Sequence, residues 1–132
     1  MMLPIAPAKA GEIALSYYLT LEVLRSGGGS QYHLGSIAQA TYMALLLARA
    51  GQGSASPELF RDADQAILHC RTNGLETGVW KLTEDAYVLI GQVLALFDQQ
   101  LAVVSVHELA TANEKLKKIF SAREAGAENG EG

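Results

Sequence analysis

Charge and cysteine are both scarce in this sequence. Asp, Glu, Lys and Arg make up 18% of its 132 residues, whereas 49% are hydrophobic; an average chain is about 25% charged. So little charge leaves part of the surface apolar, and we expect a second copy of the chain to cover some of it in a homodimer. The single cysteine, Cys70, excludes an internal disulfide, and the first residues lack the basic start and apolar run of a signal peptide. Both features favour a cytoplasmic location.

An excess of basic residues is lacking as well. Ten Lys and Arg residues stand against fourteen Asp and Glu residues, which gives a formal net charge of −4. This balance argues against nucleic-acid binding by the whole domain, although it does not exclude a local basic patch.

Long hydrophobic runs are also missing. Residues 26–48 carry no charge, but the first half of this stretch is rich in glycine and polar side chains. A helix that crosses a membrane needs about 20 predominantly apolar residues. We therefore expect no membrane partner.

Helical periodicity is abundant. Residues 86–97 are almost entirely apolar at every helical position, which predicts a central helix buried on every side. Apolar residues at amphipathic spacing predict further helices at about 8–24, 31–50 and 57–72. The glycines of 26–30 are expected to form a flexible connector, and Asn73 with Gly74 to form a left-handed cap after the third helix.

The last helical region changes phase near Ser105. Its first apolar stripe, in residues 86–104, is displaced by one residue from the stripe that follows, and Ser105 and Glu108 have the spacing of a capping box. The sequence therefore predicts an all-α bundle of four main helices, the last one long and kinked or broken near Ser105. One domain is expected over residues 8–120, after an extended lead-in at 1–7 and before a frayed or disordered tail at 121–132.

Residues suited to catalysis or metal binding do not form a recognisable pattern. His33, His69 and His107 are far apart, and none follows a glutamate by three residues as in di-iron bundles. Cys70 lies in an apolar helical stripe, which is typical of an inert core thiol. We expect no catalytic residue, no metal and no cofactor.

Two polar residues belong to the apolar central region. Gln92 lies within it, and Asp98 follows it directly. If the helix is central, these side chains need buried partners, such as a tyrosine hydroxyl or an arginine. We therefore predict a buried polar network at Gln92 and Asp98, with a small-ligand site in the bundle interior as one alternative function.

A basic cluster lies near the end of the chain. Lys115, Lys117, Lys118 and Arg123 fall within nine residues, and cations on the exposed side of a helix can contact phosphates. The alternative is a solvated helix end whose charge complements the helix dipole. Nucleic-acid binding is thus a second functional hypothesis.

Two short segments, TGVWKL at 77–82 and FDQQL at 97–101, resemble a group of small bacterial helical proteins without known chemistry. Some members are labelled Fis-type transcription regulators, and the resemblance covers most of residues 10–120. It implies a helical fold and, for members with that label, DNA binding. The basic helix-turn-helix of a Fis protein has no counterpart that can be placed after Val104. The favoured hypothesis is a non-enzymatic interaction or regulatory module that self-associates and can recruit a protein partner.

Overall fold

A computed structural model describes the backbone of residues 3–130 and the side chains of residues 3–122. The described residues form five α-helices: α1 (Pro7–Ser26), α2 (Gln31–Arg49), α3 (Pro57–Thr77), α4 (Glu84–Val103) and α5 (Val106–Gly130). Over residues 3–130, β structure is limited to two isolated bridges. The all-α prediction is confirmed.

The predicted count of four main helices is one too low, because the last of them is broken into two helices. α4 ends at Val103, Val104 is extended with φ −75° and ψ 152°, and α5 begins at Val106. The Ser105 N–H donates to Glu108 Oε1 at 2.9 Å, and the Glu108 N–H donates to Ser105 Oγ at 3.0 Å. This reciprocal capping box starts α5, so the break predicted near Ser105 is confirmed.

Helix α4 shares the centre of the bundle with α2: α2 packs against all four other helices, and α4 packs against α1, α2 and α3. Its inner side carries Ile90, Val93 and Leu101, which have no measurable exposure. The prediction of burial on every side is wrong, because Val88 and Gln92 face solvent. Among the described helices, α4 is also the one that is long and apolar enough to cross a membrane, a test that the core helix of a soluble protein passes equally well.

Helix α3 runs one turn further than the sequence predicted. Gly74 lies inside it, and Gly78, with φ +78°, supplies the left-handed cap. The indole ring of Trp80 folds back onto α3, into the space where a side chain at residue 74 would lie. The predicted cap at Asn73 and Gly74 is therefore wrong, and glycine is present at residue 74 for space rather than for backbone conformation.

The glycine-rich loop is paired with another segment rather than being a free connector. Gly29 forms a bridge with Trp80, and the Leu82 N–H donates to the Leu24 carbonyl at 3.1 Å. A Cβ on Gly29 would lie 3.0 Å from the Trp80 carbonyl oxygen, so only glycine allows this approach.

The N-terminal lead-in is tied to the break between α4 and α5. Pro4 forms a bridge with Ser105, and the Val106 N–H donates to the Leu3 carbonyl at 2.8 Å. Ile5 is buried as part of the core. At the other end, α5 continues to Gly130, so the region predicted as a frayed or disordered tail is helical up to that residue. The rest of that prediction lies outside the described residues.

Candidate interaction surface

Helices α1 and α4 lie side by side and antiparallel. Near the end of α1, Glu22 Oε1 accepts a hydrogen bond of 2.7 Å from the hydroxyl of Tyr87, in the first turn of α4. Further back along α1, the ring of Tyr17 packs edge-on against Phe97, with centroids 5.7 Å apart. These two contacts fix which face of α1 lies towards α4.

A charged cluster closes one end of this helix pair. Arg25 lies 3.4 Å from Glu84 and 3.6 Å from Glu22, and its guanidinium stacks 4.8 Å above the Tyr87 ring. The carboxylates of Glu84 and then Glu22 raise the pKa of Arg25, and the hydrogen bond to Glu22 raises the pKa of Tyr87. Because the cluster is exposed, its ion pairs add little to stability and act mainly to orient the paired ends of α1 and α4.

Next to this cluster, α1 and α4 present an uncharged surface to solvent. Leu15 and Leu19, one turn apart on α1, are 57% and 58% exposed, and Val88 on α4 is 57% exposed. Tyr18 lies between the two leucines and is half-buried, and Gly91 has open space where a Cβ would be. We refer to the following residues as the α1–α4 surface: Leu15, Tyr18, Leu19, Val88, Gly91 and Ala95.

The far end of the α1–α4 surface is marked by Asp98. Burial first, and the charge of Asp98 second, raise the pKa of Tyr18. Acidic and basic side chains therefore lie at the two ends of this surface, while its centre is apolar. An apolar centre with a polar rim is the usual composition of a protein–protein interface.

The buried polar network predicted at Gln92 and Asp98 is not present, because both side chains are exposed. The buried amide is Gln100, at 1% exposure. Its Nε2 donates to the carbonyls of Ala44 and Gln52, each at 2.9 Å, while its Oε1 is buried without a hydrogen-bond partner among the described residues. Gln100 continues the inward stripe of Val93 and Phe97, and this spacing is the signal that could have identified it.

The lysines of the predicted basic cluster are exposed on α5. Lys117 pairs with Glu114 at 3.5 Å. Within the described part of the chain, Lys115 and Lys118 have no ion pair. The side chain of Arg123 lies outside the described residues.

The three histidines and the cysteine are not brought together. His33 Nδ1 accepts a hydrogen bond of 3.0 Å from the Ser30 N–H, which helps to cap α2, while His69 and His107 are exposed on different helices. Burial raises the pKa of the Cys70 thiol, so it remains a protonated core side chain. No group of three or more His, Cys, Asp and Glu residues within the described region could hold a metal ion.

Comparison of the chain with protein-family models, with curated proteins and with solved structures finds no match. The resemblance to Fis-type proteins is thus neither supported nor contradicted.

Proposed function

We propose that the protein is a non-enzymatic interaction module that self-associates through the α1–α4 surface. The observation that carries this proposal is the exposure of the apolar side chains of Leu15, Leu19 and Val88 on two adjacent helices. Isolated apolar side chains are normal on any protein, but a contiguous apolar patch marks an interaction site.

A second copy of the chain suits this surface. A two-fold axis places the same patch on both protomers, so two leucines from each α1 can pack against their symmetry mates. Gly91 lets an opposing helix come close, because its missing side chain leaves open space. Burying a leucine side chain fully is worth about 1.5–3 kcal/mol, and the dimer supplies this burial several times over.

The test is the solution mass from size exclusion with light scattering, between micromolar and millimolar protein. The double variant Leu15→Glu, Leu19→Glu places two carboxylates in the interface of each protomer. The matched control is Leu68→Glu, Leu75→Glu on α3, which adds the same two charges at leucines that are 48% and 62% exposed. The wild type and the control are expected to be dimeric and the α1 variant monomeric with an unchanged circular dichroism spectrum. A wild type that stays monomeric at all concentrations, or an α1 variant that stays dimeric, overturns the proposal.

A second candidate is nucleic-acid binding by α5. Lys115 and Lys118 lie three residues apart, so their cations, which have no ion pair among residues 3–122, lie on adjacent positions of one helix face. Reversing both charges should abolish a salt-sensitive mobility shift of a mixed DNA fragment. The control reverses Lys9 and Lys81, two exposed lysines on other elements, and keeps the same net charge. The absence of any shift by the wild type at low salt removes this candidate.

A further inference from the structure

A groove runs between α1 and α5, on the opposite side of α1 from the α1–α4 surface. Its volume is about 350 Å³, within the range of about 300–1,000 Å³ that is typical of small-molecule sites. The floor consists of Met43 from α2 and Phe97 from α4, both buried, and Ile13 and Leu109 form the two walls. The groove exists because α5 packs closely on α2, whereas α1 and α5 do not meet over the described residues.

The polar side chains of this groove are neutral and have spare hydrogen-bonding capacity. They are the Tyr17 hydroxyl and the amides of Gln39 and Asn113, and no Asp, Glu, Lys, Arg or His side chain lines the groove. None of the three has a hydrogen-bond partner among the described residues. Tyr17 stays a protonated donor because burial raises its pKa. Three convergent polar groups above an apolar floor are the usual composition of a ligand site.

We propose that the α1–α5 groove binds an uncharged, mainly apolar small molecule that carries one hydroxyl or carbonyl group. The apolar body lies on Met43 and Phe97, and its polar group bonds to Tyr17, Gln39 or Asn113. An ionised carboxylate or an ammonium is disfavoured, because no opposite charge lines the groove to compensate for its desolvation. A neutral hydroxyl or carbonyl needs only the hydrogen bonds that these side chains offer.

The first experiment measures fluorescence of the neutral probe N-phenyl-1-naphthylamine with purified full-length protein. Ala110 is exposed on the rim of the groove, so the variant Ala110→Trp fills the groove without disturbing the core. The matched control is Ala102→Trp, since Ala102 is exposed on α4 away from the groove. We expect saturable binding by the wild type and the control, and at least tenfold weaker binding by Ala110→Trp. No saturable binding by the wild type, or equal binding by both variants, contradicts the proposal.

The second experiment tests the chemistry of the ligand by displacing the probe with three molecules of similar size: naphthalene, 1-naphthol and 1-naphthoate. The alcohol should bind about five- to tenfold more tightly than the hydrocarbon, the effect of one hydrogen bond, and the carboxylate most weakly. The triple variant Tyr17→Phe, Gln39→Leu, Asn113→Leu removes all three polar groups, so it should remove the difference between alcohol and hydrocarbon while it leaves naphthalene binding intact. Tightest binding of 1-naphthoate, or an alcohol preference that survives this variant, overturns the proposal.

Repeating both measurements with Leu15→Glu, Leu19→Glu separates this proposal from self-association. These leucines lie on the other side of α1, so the monomeric variant should bind the same ligands as the wild type. A protein that binds the probe but does not self-associate contradicts the interaction module and not the groove proposal. A stable dimer that does not bind the probe contradicts the groove proposal and not the interaction module.

Discussion

Trp80 occupies the space that a side chain at Gly74 would fill. The Cδ2 atom of the indole lies 2.2 Å from the ideal Cβ position of Gly74, far inside any contact distance. Only a hydrogen atom fits at residue 74 while Trp80 stays in place. A glycine within α3 thus lets the segment after the helix return to the bundle.

The first prediction concerns Gly74→Ala. The added methyl must displace the indole, and such overpacking costs about 1–3 kcal/mol. Alanine returns about 1 kcal/mol of helix propensity, so the free energy of unfolding should fall by up to about 2 kcal/mol, measured by urea denaturation. The control is Gly35→Ala on α2, where a Cβ has open space and a gain of about 0.5–1 kcal/mol is expected. If Trp80→Ala leaves the cost of Gly74→Ala unchanged, the steric explanation is wrong.

The second prediction concerns Gln100→Met, a substitution of similar shape. It removes the two hydrogen bonds to the carbonyls of Ala44 and Gln52, and at about 0.5–1.5 kcal/mol for each bond the loss should cost about 1–3 kcal/mol. Gln99→Met is the control, since Gln99 is exposed and its substitution should change stability by less than about 0.5 kcal/mol. Equal effects of the two variants in urea denaturation would show that the amide of Gln100 is dispensable.

The third prediction concerns Glu108 and pH. Its hydrogen bonds from the Ser105 backbone and side chain, and from Gln52, lower its pKa below the ordinary value of 4.5. A carboxylate with a lowered folded-state pKa stabilises the fold above its unfolded pKa, and this contribution disappears as pH falls through the folded pKa. Glu108→Gln should therefore be less stable than the wild type at neutral pH, and the gap should narrow in acid. An equal gap in denaturation curves at both pH values would contradict this assignment.

The fourth prediction concerns the N-terminal lead-in. Ile5 is 9% exposed, whereas Leu3, two residues away in the same extended segment, is 73% exposed. Ile5→Ala should lower the free energy of unfolding by about 2 kcal/mol or more, because it leaves a cavity beneath the break. Leu3→Ala should change it by less than about 0.5 kcal/mol. If thermal denaturation shows the same effect for the two variants, the N-terminal lead-in is not held to the core by Ile5.

Local features were predictable from the sequence where a few neighbouring residues determine them. Ser105 and Glu108 satisfy each other across three residues, so their spacing, together with the phase shift of the apolar stripe, predicted the break and the capping box. Thr83 likewise caps α4 through residues close in sequence, with its Oγ1 accepting a hydrogen bond of 3.1 Å from the Ala86 N–H.

Features that depend on distant contacts were not predictable. Gly74 looked like a cap because nothing nearby in sequence shows that Trp80 needs its space. Gln92 was predicted to be buried because, within residues 86–97, the outer side of α4 is as free of charge as its inner side. Burial of Gln100 was not predicted, because a polar residue is not expected in an apolar stripe. The α1–α5 groove has no sequence signal at all, since it arises from the separation of two helices that pack on common neighbours.

Helix α5 is expected to open locally before the rest of the bundle. Among the described helices, α5 packs closely only on α2, whereas α4 is held by three neighbours. Segments with few packing partners open at lower free energy than the core, and their amide hydrogens exchange sooner. The amides of α5 should thus exchange as one early unit, and those in the middle of α4 only when the whole chain unfolds.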